Sequence, residues 1–143
     1  MKLRTKIPKD KIGLTPLHYA ARNGDENICK LILSQVEDKN PKDNEGTTPL
    51  HQAAFKQNTN IYKLIMDEVN DKNPKDQDGW TPLHIAARYG DDENICKLII
   101  SQLEDKNPKD NEGITPLHGA AIQRNTKIYK LIMDEVEDKN SKR

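Results

Sequence analysis

The chain has 143 residues, the length of a single domain, and its 23 basic and 23 acidic residues give a formal net charge of zero. No apolar run approaches the roughly 20 residues that a membrane span needs, and we recognise no signal peptide after Met1. Zero net charge argues against broad binding to nucleic acid or to an anionic membrane surface, and with only 34% apolar residues a compact core is hard to build.

The sequence contains four copies of one pattern. The tetrapeptide Thr-Pro-Leu-His occurs at residues 15–18, 48–51, 81–84 and 115–118. The first and third copies resemble each other, as do the second and fourth, so the chain reads as a two-repeat unit that was duplicated. We predict one domain over residues 1–143, with a lead-in at 1–9 and repeats at approximately 10–42, 43–75, 76–109 and 110–143.

Each tetrapeptide predicts the start of a short first helix. Thr15 is a good N-cap, and the proline after it suits the first helical position, where its missing N–H costs nothing. Leu17, Ala20 and Ala21 follow on one helical face. The helix is expected to end near Gly24, because glycine readily adopts the left-handed conformation that stops a helix.

A second helix is predicted to start at Asp25 or Glu26 in the first repeat. Its predicted buried stripe has apolar residues at i, i+3, i+4 and i+8 in every repeat. The stripes are Ile28, Leu31, Ile32, Val36; Ile61, Leu64, Ile65, Val69; Ile95, Leu98, Ile99, Leu103; and Ile128, Leu131, Ile132, Val136. A polar turn-forming loop follows each helix. Neither helix can bury its stripe alone, so we expect the helix pairs to stack, each buried by its neighbours.

The pattern resembles the ankyrin repeat. The residues that carry the resemblance are Gly13-x-Thr15-Pro16-Leu17-His18-x-Ala20-Ala21-x-x-Gly24 and Ile28-x-x-Leu31, with their three further copies. The resemblance covers nearly the whole chain. It implies an all-α solenoid of stacked helix–loop–helix units with β-hairpin-like finger loops and a concave surface. It also implies a non-catalytic scaffold that binds a protein or peptide.

Two columns depart from the family pattern. Apolar residues stand where the family usually has a glycine at the end of the second helix, namely Val36, Val69, Leu103 and Val136. Lysines stand where it usually has a buried valine, namely Lys39, Lys72, Lys106 and Lys139. We therefore expect a slightly longer second helix and a more polar base of the finger.

The four histidines suggest metal binding only at first sight. Helix axes pack roughly 8–10 Å apart, so equivalent residues of successive repeats lie too far apart to share a zinc ion. We expect each imidazole to bond near its own threonine and to the backbone of the neighbouring repeat. The predicted structural residues are Thr15, His18, Thr48, His51, Thr81, His84, Thr115 and His118.

No other motif indicates catalysis, a metal or a cofactor. Cys29 and Cys96 lie two repeats apart, too far for a disulfide, so we expect free thiols in a reducing compartment, the cytoplasm or the nucleus. The acidic loop at residues 38–46 lacks the spacing of an EF-hand. No phosphate-binding loop, nucleophile elbow or pair of catalytic carboxylates is recognised.

Positions that differ between the otherwise similar copies mark the candidate partner contacts. In the family these columns lie at the fingers and on the concave side of the first helices. Trp80, Phe55, Arg88 and Tyr89 are expected to cluster, and Trp, Tyr and Arg are enriched in binding hot spots. The alternative is that Trp80 and Phe55 only cover apolar surface between fingers. The full predicted set is Thr47, Phe55, Lys56, Trp80, Arg88, Tyr89, Ile114 and Ile122.

The two ends of the chain leave further alternatives open. The last repeat keeps its full apolar stripe. Either the array is longer, or its end face associates weakly with another chain. A monomer is the first expectation. A structural or self-associating module is therefore the second functional class. The basic residues near the N-terminus form either a solvated end or a contact with an acidic partner: Lys2, Arg4, Lys6, Lys9 and Lys11.

Overall fold

The computed structural model describes residues 7–141 and folds them into eight helices. They are α1 (Pro16–Asn23), α2 (Glu26–Gln35), α3 (Pro49–Phe55), α4 (Thr59–Met66), α5 (Pro82–Tyr89), α6 (Asn94–Ile100), α7 (Pro116–Gln123) and α8 (Thr126–Ser141). We call α1–α2, α3–α4, α5–α6 and α7–α8 helix pairs 1 to 4. No residue within 7–141 lies in a strand, and the predicted all-α repeat solenoid is confirmed. Lys2, Arg4 and Lys6 lie outside the described residues, as does the side chain of Lys139.

The first helices begin and end where the sequence predicts. Each follows an extended threonine N-cap and has proline in its first turn. Gly24 ends α1 in the left-handed conformation, with φ of 79°. In pairs 2 and 4, where glycine is missing, Gln57 and Arg124 take the left-handed turn with φ of 56° and 60°. The following asparagines cap the second helices, since Asn58 Oδ1 accepts from the N–H of Ile61 at 3.0 Å.

The helix pairs stack in two layers. First helices pack on neighbouring first helices, and second helices pack on neighbouring second helices. The first-helix layer is built on buried alanine pairs such as Ala53 and Ala54, whose small side chains let the helices approach closely. Gly119 continues this pattern in α7, because a Cβ atom there would lie 3.3 Å from the backbone nitrogen of Arg88. A continuous core therefore forms from few apolar residues.

The predicted buried stripe of the second helix is wrong in pair 1 for two of its four residues. Ile28 and Leu31 are 44% and 53% exposed, whereas Cys29 and Leu33 are buried. In pair 2, in contrast, the counterpart of Ile28, Ile61, is fully buried.

The stacking direction explains this difference. In pair 4 the isoleucine of the same column, Ile128, is buried, while the neighbouring Tyr129 is 41% exposed. The isoleucine column therefore faces the preceding pair, and the Cys/Tyr column faces the following pair. Ile28 is exposed because the described residues supply no pair before α2, and Tyr129 is exposed because they supply none after α8.

The lysine column caps the second helices, a role that the sequence analysis missed. Lys72 Nζ donates to the carbonyl oxygens of Met66 at 2.6 Å and Val69 at 3.0 Å. Lys39 and Lys106 make the same pair of bonds in their own repeats. Each ammonium thus satisfies carbonyl groups at the negative end of a helix.

The expected lengthening of the second helix is wrong for α2, α4 and α6. These helices end before Val36, Val69 and Leu103, respectively, and only α8 runs through its member of this column, Val136. The chain turns sharply after Met66, where Val69 N–H bonds back only three residues. The lysine cap holds the carbonyl groups that this early turn leaves free.

Replacing Lys72 with methionine should lower the free energy of unfolding by about 2 kcal/mol, because two charge-assisted hydrogen bonds are lost while the aliphatic stem is kept. Urea denaturation followed by circular dichroism measures the change. Lys63→Met is the matched control, since Lys63 is exposed on the same pair, and it should change stability by less than about 0.5 kcal/mol. Equal effects of the two substitutions would show that the cap contributes nothing.

Candidate partner-binding surface

Three histidines tie the start of a first helix to the next helix pair. His51 Nδ1 accepts from the backbone N–H of Thr48 at 3.1 Å, and His51 Nε2 lies 2.8 Å from the carbonyl oxygen of Trp80. His18 and His84 repeat this arrangement with the carbonyl oxygens of Thr47 and Ile114. Because Nδ1 accepts a hydrogen bond from a backbone N–H, the proton of the neutral ring sits on Nε2 and is donated to the next pair.

Burial keeps these rings neutral. Desolvation lowers the pKa of His18, His51 and His84, so all three remain uncharged near neutral pH. Both ring nitrogens are engaged, which leaves no lone pair for a metal or for proton transfer. Within residues 7–141 no group of three or more His, Cys, Asp or Glu residues is placed to hold a metal ion.

His118 is the exception among the four. It accepts from the backbone N–H of Thr115 at 3.0 Å, as the others do with their threonines. Its ring is exposed, however, and the described residues offer its Nε2 no carbonyl of a following pair.

An aspartate closes each finger loop. Asp43 Oδ1 accepts from the backbone N–H groups of Glu45 and Thr47, both at 2.8 Å. Asp10, Asp76 and Asp110 hold their loops in the same way. These loop carboxylates therefore accept hydrogen bonds from the backbone of their own finger. The fixed spacing of Asp, Gly and Thr could have revealed this role, because Asp commonly bonds its own backbone two residues on.

Backbone hydrogen bonds join each finger to the next. The N–H of Asn44 donates to the carbonyl oxygen of Ile12 at 3.0 Å, and the N–H of Gln77 donates to that of Glu45 at 2.9 Å. Asn111 and Asp78 form the third such link. The fingers are thus a continuous row, which fixes where the side chains of the variable columns point.

The structure brings four of the predicted contact residues together. The rings of Phe55 and Tyr89 meet edge to face with centroids 5.5 Å apart, and Trp80 lies 6.4 Å from Tyr89. The guanidinium of Arg88 lies 4.9 Å from the centroid of the Tyr89 ring. Phe55 and Tyr89 remain 49% and 45% exposed. We call Phe55, Trp80, Arg88 and Tyr89 the aromatic cluster.

Trp80 also has a local role within the finger row. Its Nε1 donates to Asp110 Oδ2 at 2.9 Å, and its ring stacks on His84 with centroids 5.7 Å apart. This half-buried tryptophan therefore links two fingers, whereas the alternative interpretation of the sequence expected it only to cover apolar surface there. That interpretation does not account for Phe55, whose ring is half exposed beside Tyr89.

A groove of about 330 Å³ lies next to the aromatic cluster. The predicted residues Thr47, Phe55 and Lys56 line it. Other lining residues were not in the predicted set, although they belong to the same variable columns or to the histidine column: Arg22, His51, Gln52 and Ile85. Two of the lining side chains are cationic, and none is acidic.

Ile114 and Ile122 lie apart from this groove. Ile114 is half-buried in the last finger, where its carbonyl oxygen accepts from His84. Ile122 is 61% exposed on α7. The neighbouring Gln123 connects this helix to the aromatic cluster, since Arg88 Nη1 donates to Gln123 Oε1 at 3.2 Å.

A family model described as ankyrin repeats, in three copies, matches residues 3–76 and 61–143. No curated protein matches the chain. Among the described residues, no helix has the length and apolar character needed to cross a membrane.

Proposed function

Because the chain belongs to the ankyrin-repeat family, we propose that it is a non-catalytic scaffold that holds a protein or peptide on its concave face and finger loops. Ankyrin repeats generally mediate protein–protein interaction, and domains built from them are typically not catalytic. The observation that carries the proposal is the aromatic cluster, in which two rings are half exposed on adjacent first helices.

The chemistry of the cluster favours a particular kind of partner. Exposed aromatic rings next to an arginine are the side chains that most often dominate binding energies. The adjoining groove adds the cations Arg22 and Lys56 to that of Arg88. We therefore expect the partner segment to insert a large apolar side chain beside Phe55 and Tyr89 and to carry acidic residues next to it.

The hydrogen-bonded frame supports binding by fixing this surface before the partner arrives. His51 and His84 join the carbonyl groups of Trp80 and Ile114 to the preceding pairs, and backbone bonds join the fingers. A surface that is already ordered loses little conformational entropy on binding.

Replacing Phe55 or Tyr89 with alanine should weaken partner binding at least about tenfold, because each removes an exposed hot-spot ring without touching the buried core. The partner is first captured from lysate on the wild-type chain, and its affinity for each variant is then measured by titration calorimetry. Tyr129→Ala is the matched control, since Tyr129 is similarly exposed (41%) but lies on α8. Unchanged affinity in both cluster variants would refute the proposed site.

We place this function inside the cell, in the cytoplasm or the nucleus. Cys29 and Cys96 are buried free thiols, and burial raises their pKa to about 11 and about 12, so both stay protonated and unreactive. Reduced cysteines are typical of intracellular proteins. The zero net charge further favours a protein partner over nucleic acid or membrane.

A further inference from the structure

The two ends of the stack expose complementary apolar surfaces. The N-terminal face, defined here by Tyr19, Asp25, Ile28 and Ile32, surrounds a groove of about 570 Å³. The C-terminal face, defined by Ala121, Arg124, Thr126, Tyr129 and Met133, includes a groove of about 300 Å³. Ile28 and Tyr129 are 44% and 41% exposed, although their counterparts inside the stack are buried.

The junction between helix pairs 2 and 3 shows how such surfaces fit together. There α4 packs against α6. Tyr62 and Met66 of α4 are 0% and 3% exposed, and Ile95 and Ile99 of α6 are each 1% exposed. The two packed helices thus bury one aromatic and one methionine side chain on α4 and two isoleucines on α6.

The duplication in the sequence places the two halves of this junction at the two ends of the chain. Pair 4 repeats pair 2, so Tyr129 and Met133 are the counterparts of Tyr62 and Met66. Pair 1 repeats pair 3, so Ile28 and Ile32 are the counterparts of Ile95 and Ile99. The C-terminal face therefore carries the side chains that the N-terminal face is built to cover.

The polar groups match in the same way. Across the internal junction, His51 Nε2 bonds to the carbonyl oxygen of Trp80. The counterpart of His51 is the exposed His118, and the counterpart of Trp80 is Leu14, whose carbonyl oxygen accepts from Asp10 just as that of Trp80 accepts from Asp76. Each end face thus offers one half of the same hydrogen bond.

Charge adds to this match. Inside the stack, Gln57 accepts from the backbone N–H of Asp91, and Arg124 occupies the same left-handed turn position as Gln57 at the C-terminal face. Asp25 lines the N-terminal face at the turn that corresponds to Asp91. Docking of the two faces would bring this arginine next to an aspartate.

We propose that the C-terminal face of one copy of this chain docks on the N-terminal face of a second copy and reproduces the junction between pairs 2 and 3. The match extends as far as Met133, beyond which α8 continues while α4 ends at Met66. Because the two faces differ, the contact is head-to-tail, and each bound copy presents a free face for the next. Chains therefore grow without closing at the dimer, and the aromatic cluster stays accessible along their length.

Sedimentation velocity of the full chain over a range of concentrations tests the proposal. The weight-average mass of the wild type should rise with concentration and pass beyond the dimer. Ile28→Lys and Tyr129→Lys place a charge on one face each, and both variants should stay monomeric alone. An equimolar mixture of the two should form a one-to-one dimer and nothing larger, because each variant keeps the face that the other needs.

Phe55→Lys is the control, since Phe55 is 49% exposed on α3, outside both end faces, and it should associate as the wild type does. Thermal unfolding by circular dichroism verifies that the variants are folded, which we expect because both altered side chains are partly exposed. Wild-type mass that stays monomeric up to about 1 mM would overturn the proposal. A wild-type mass that stops at the dimer, or a mixture that does not dimerise, would overturn it as well.

Discussion

Replacing His51 with alanine should lower the free energy of unfolding by about 4 kcal/mol, the largest single effect that we expect in this chain. His51 is 1% exposed, and its side chain bonds to two backbone groups. It caps α3 through the N–H of Thr48, and its Nε2–H bonds to the carbonyl oxygen of Trp80 in the next pair. The substitution removes both bonds, leaves the buried N–H of Thr48 without its partner and opens a cavity between the pairs.

His118→Ala is the matched control for this experiment. His118 makes the same cap with Thr115, but it is exposed and bonds to no later pair among the described residues. Its loss should cost about 1 kcal/mol, the usual contribution of a cap. Urea denaturation of both variants, analysed with a nearest-neighbour model suited to repeat proteins, gives the two values. Similar losses would show that the bond between pairs contributes little.

The pH dependence of stability gives a second measurement on the same histidine. Burial lowers the pKa of His51 in the folded chain, so the unfolded chain binds a proton more readily. The stability contributed by the neutral ring is present above the unfolded pKa of about 6.5 and is lost as pH falls through the folded pKa. His51→Ala should therefore lose less stability than the wild type between about pH 6.5 and pH 5.

The first helices could be predicted from sequence because their determinants are local. Thr15 as N-cap and Gly24 as the left-handed stop act within a few residues of the helix they define, and both are where the sequence places them. The surroundings of the second helices depend on stacking. Ile28 and Ile95 occupy the same column, yet only Ile95 is buried, because only its helix has a preceding pair in the described chain.

The lysine column shows a second limit of prediction from the sequence. Lys72 is polar at a position where the family has a valine, and the sequence alone indicated only a more polar finger base. Its actual role requires the chain to turn after Met66 and bring the ammonium back to the helix end, at 2.6 Å from that carbonyl oxygen. Such a bond depends on the path of the loop, which no periodicity encodes.

The sequence predicted the candidate partner site as a set of equivalent positions in the four repeats. Residues that differ between near-identical copies are those that the frame does not dictate, and this reasoning placed Phe55 and Tyr89 side by side, as the 5.5 Å ring contact shows. It could not tell that the Trp80 indole donates to Asp110 or that Gln123, beside Ile122, accepts from Arg88. Those contacts depend on the direction of the side chains.

Replacing Gly46 with alanine should lower the free energy of unfolding by about 3 kcal/mol, and two separate causes contribute. Gly46 has φ of 82°, a left-handed conformation in which a side chain costs about 1 kcal/mol. A Cβ atom would also lie 2.9 Å from the backbone nitrogen of Gln77. That nitrogen donates to the carbonyl oxygen of Glu45, so the added carbon would push the fingers apart and break the bond between them.

Gly113→Ala separates the two causes. Gly113 has nearly the same φ, 81°, but an added Cβ atom there meets no described atom within 4 Å. This control should therefore lose only the conformational cost of about 1 kcal/mol. Urea denaturation of both variants measures the difference, which we assign to the contact between fingers. If the two substitutions lower the free energy of unfolding equally, the row of backbone bonds between fingers adds no stability. The frame that holds the aromatic cluster must then depend on the histidines alone.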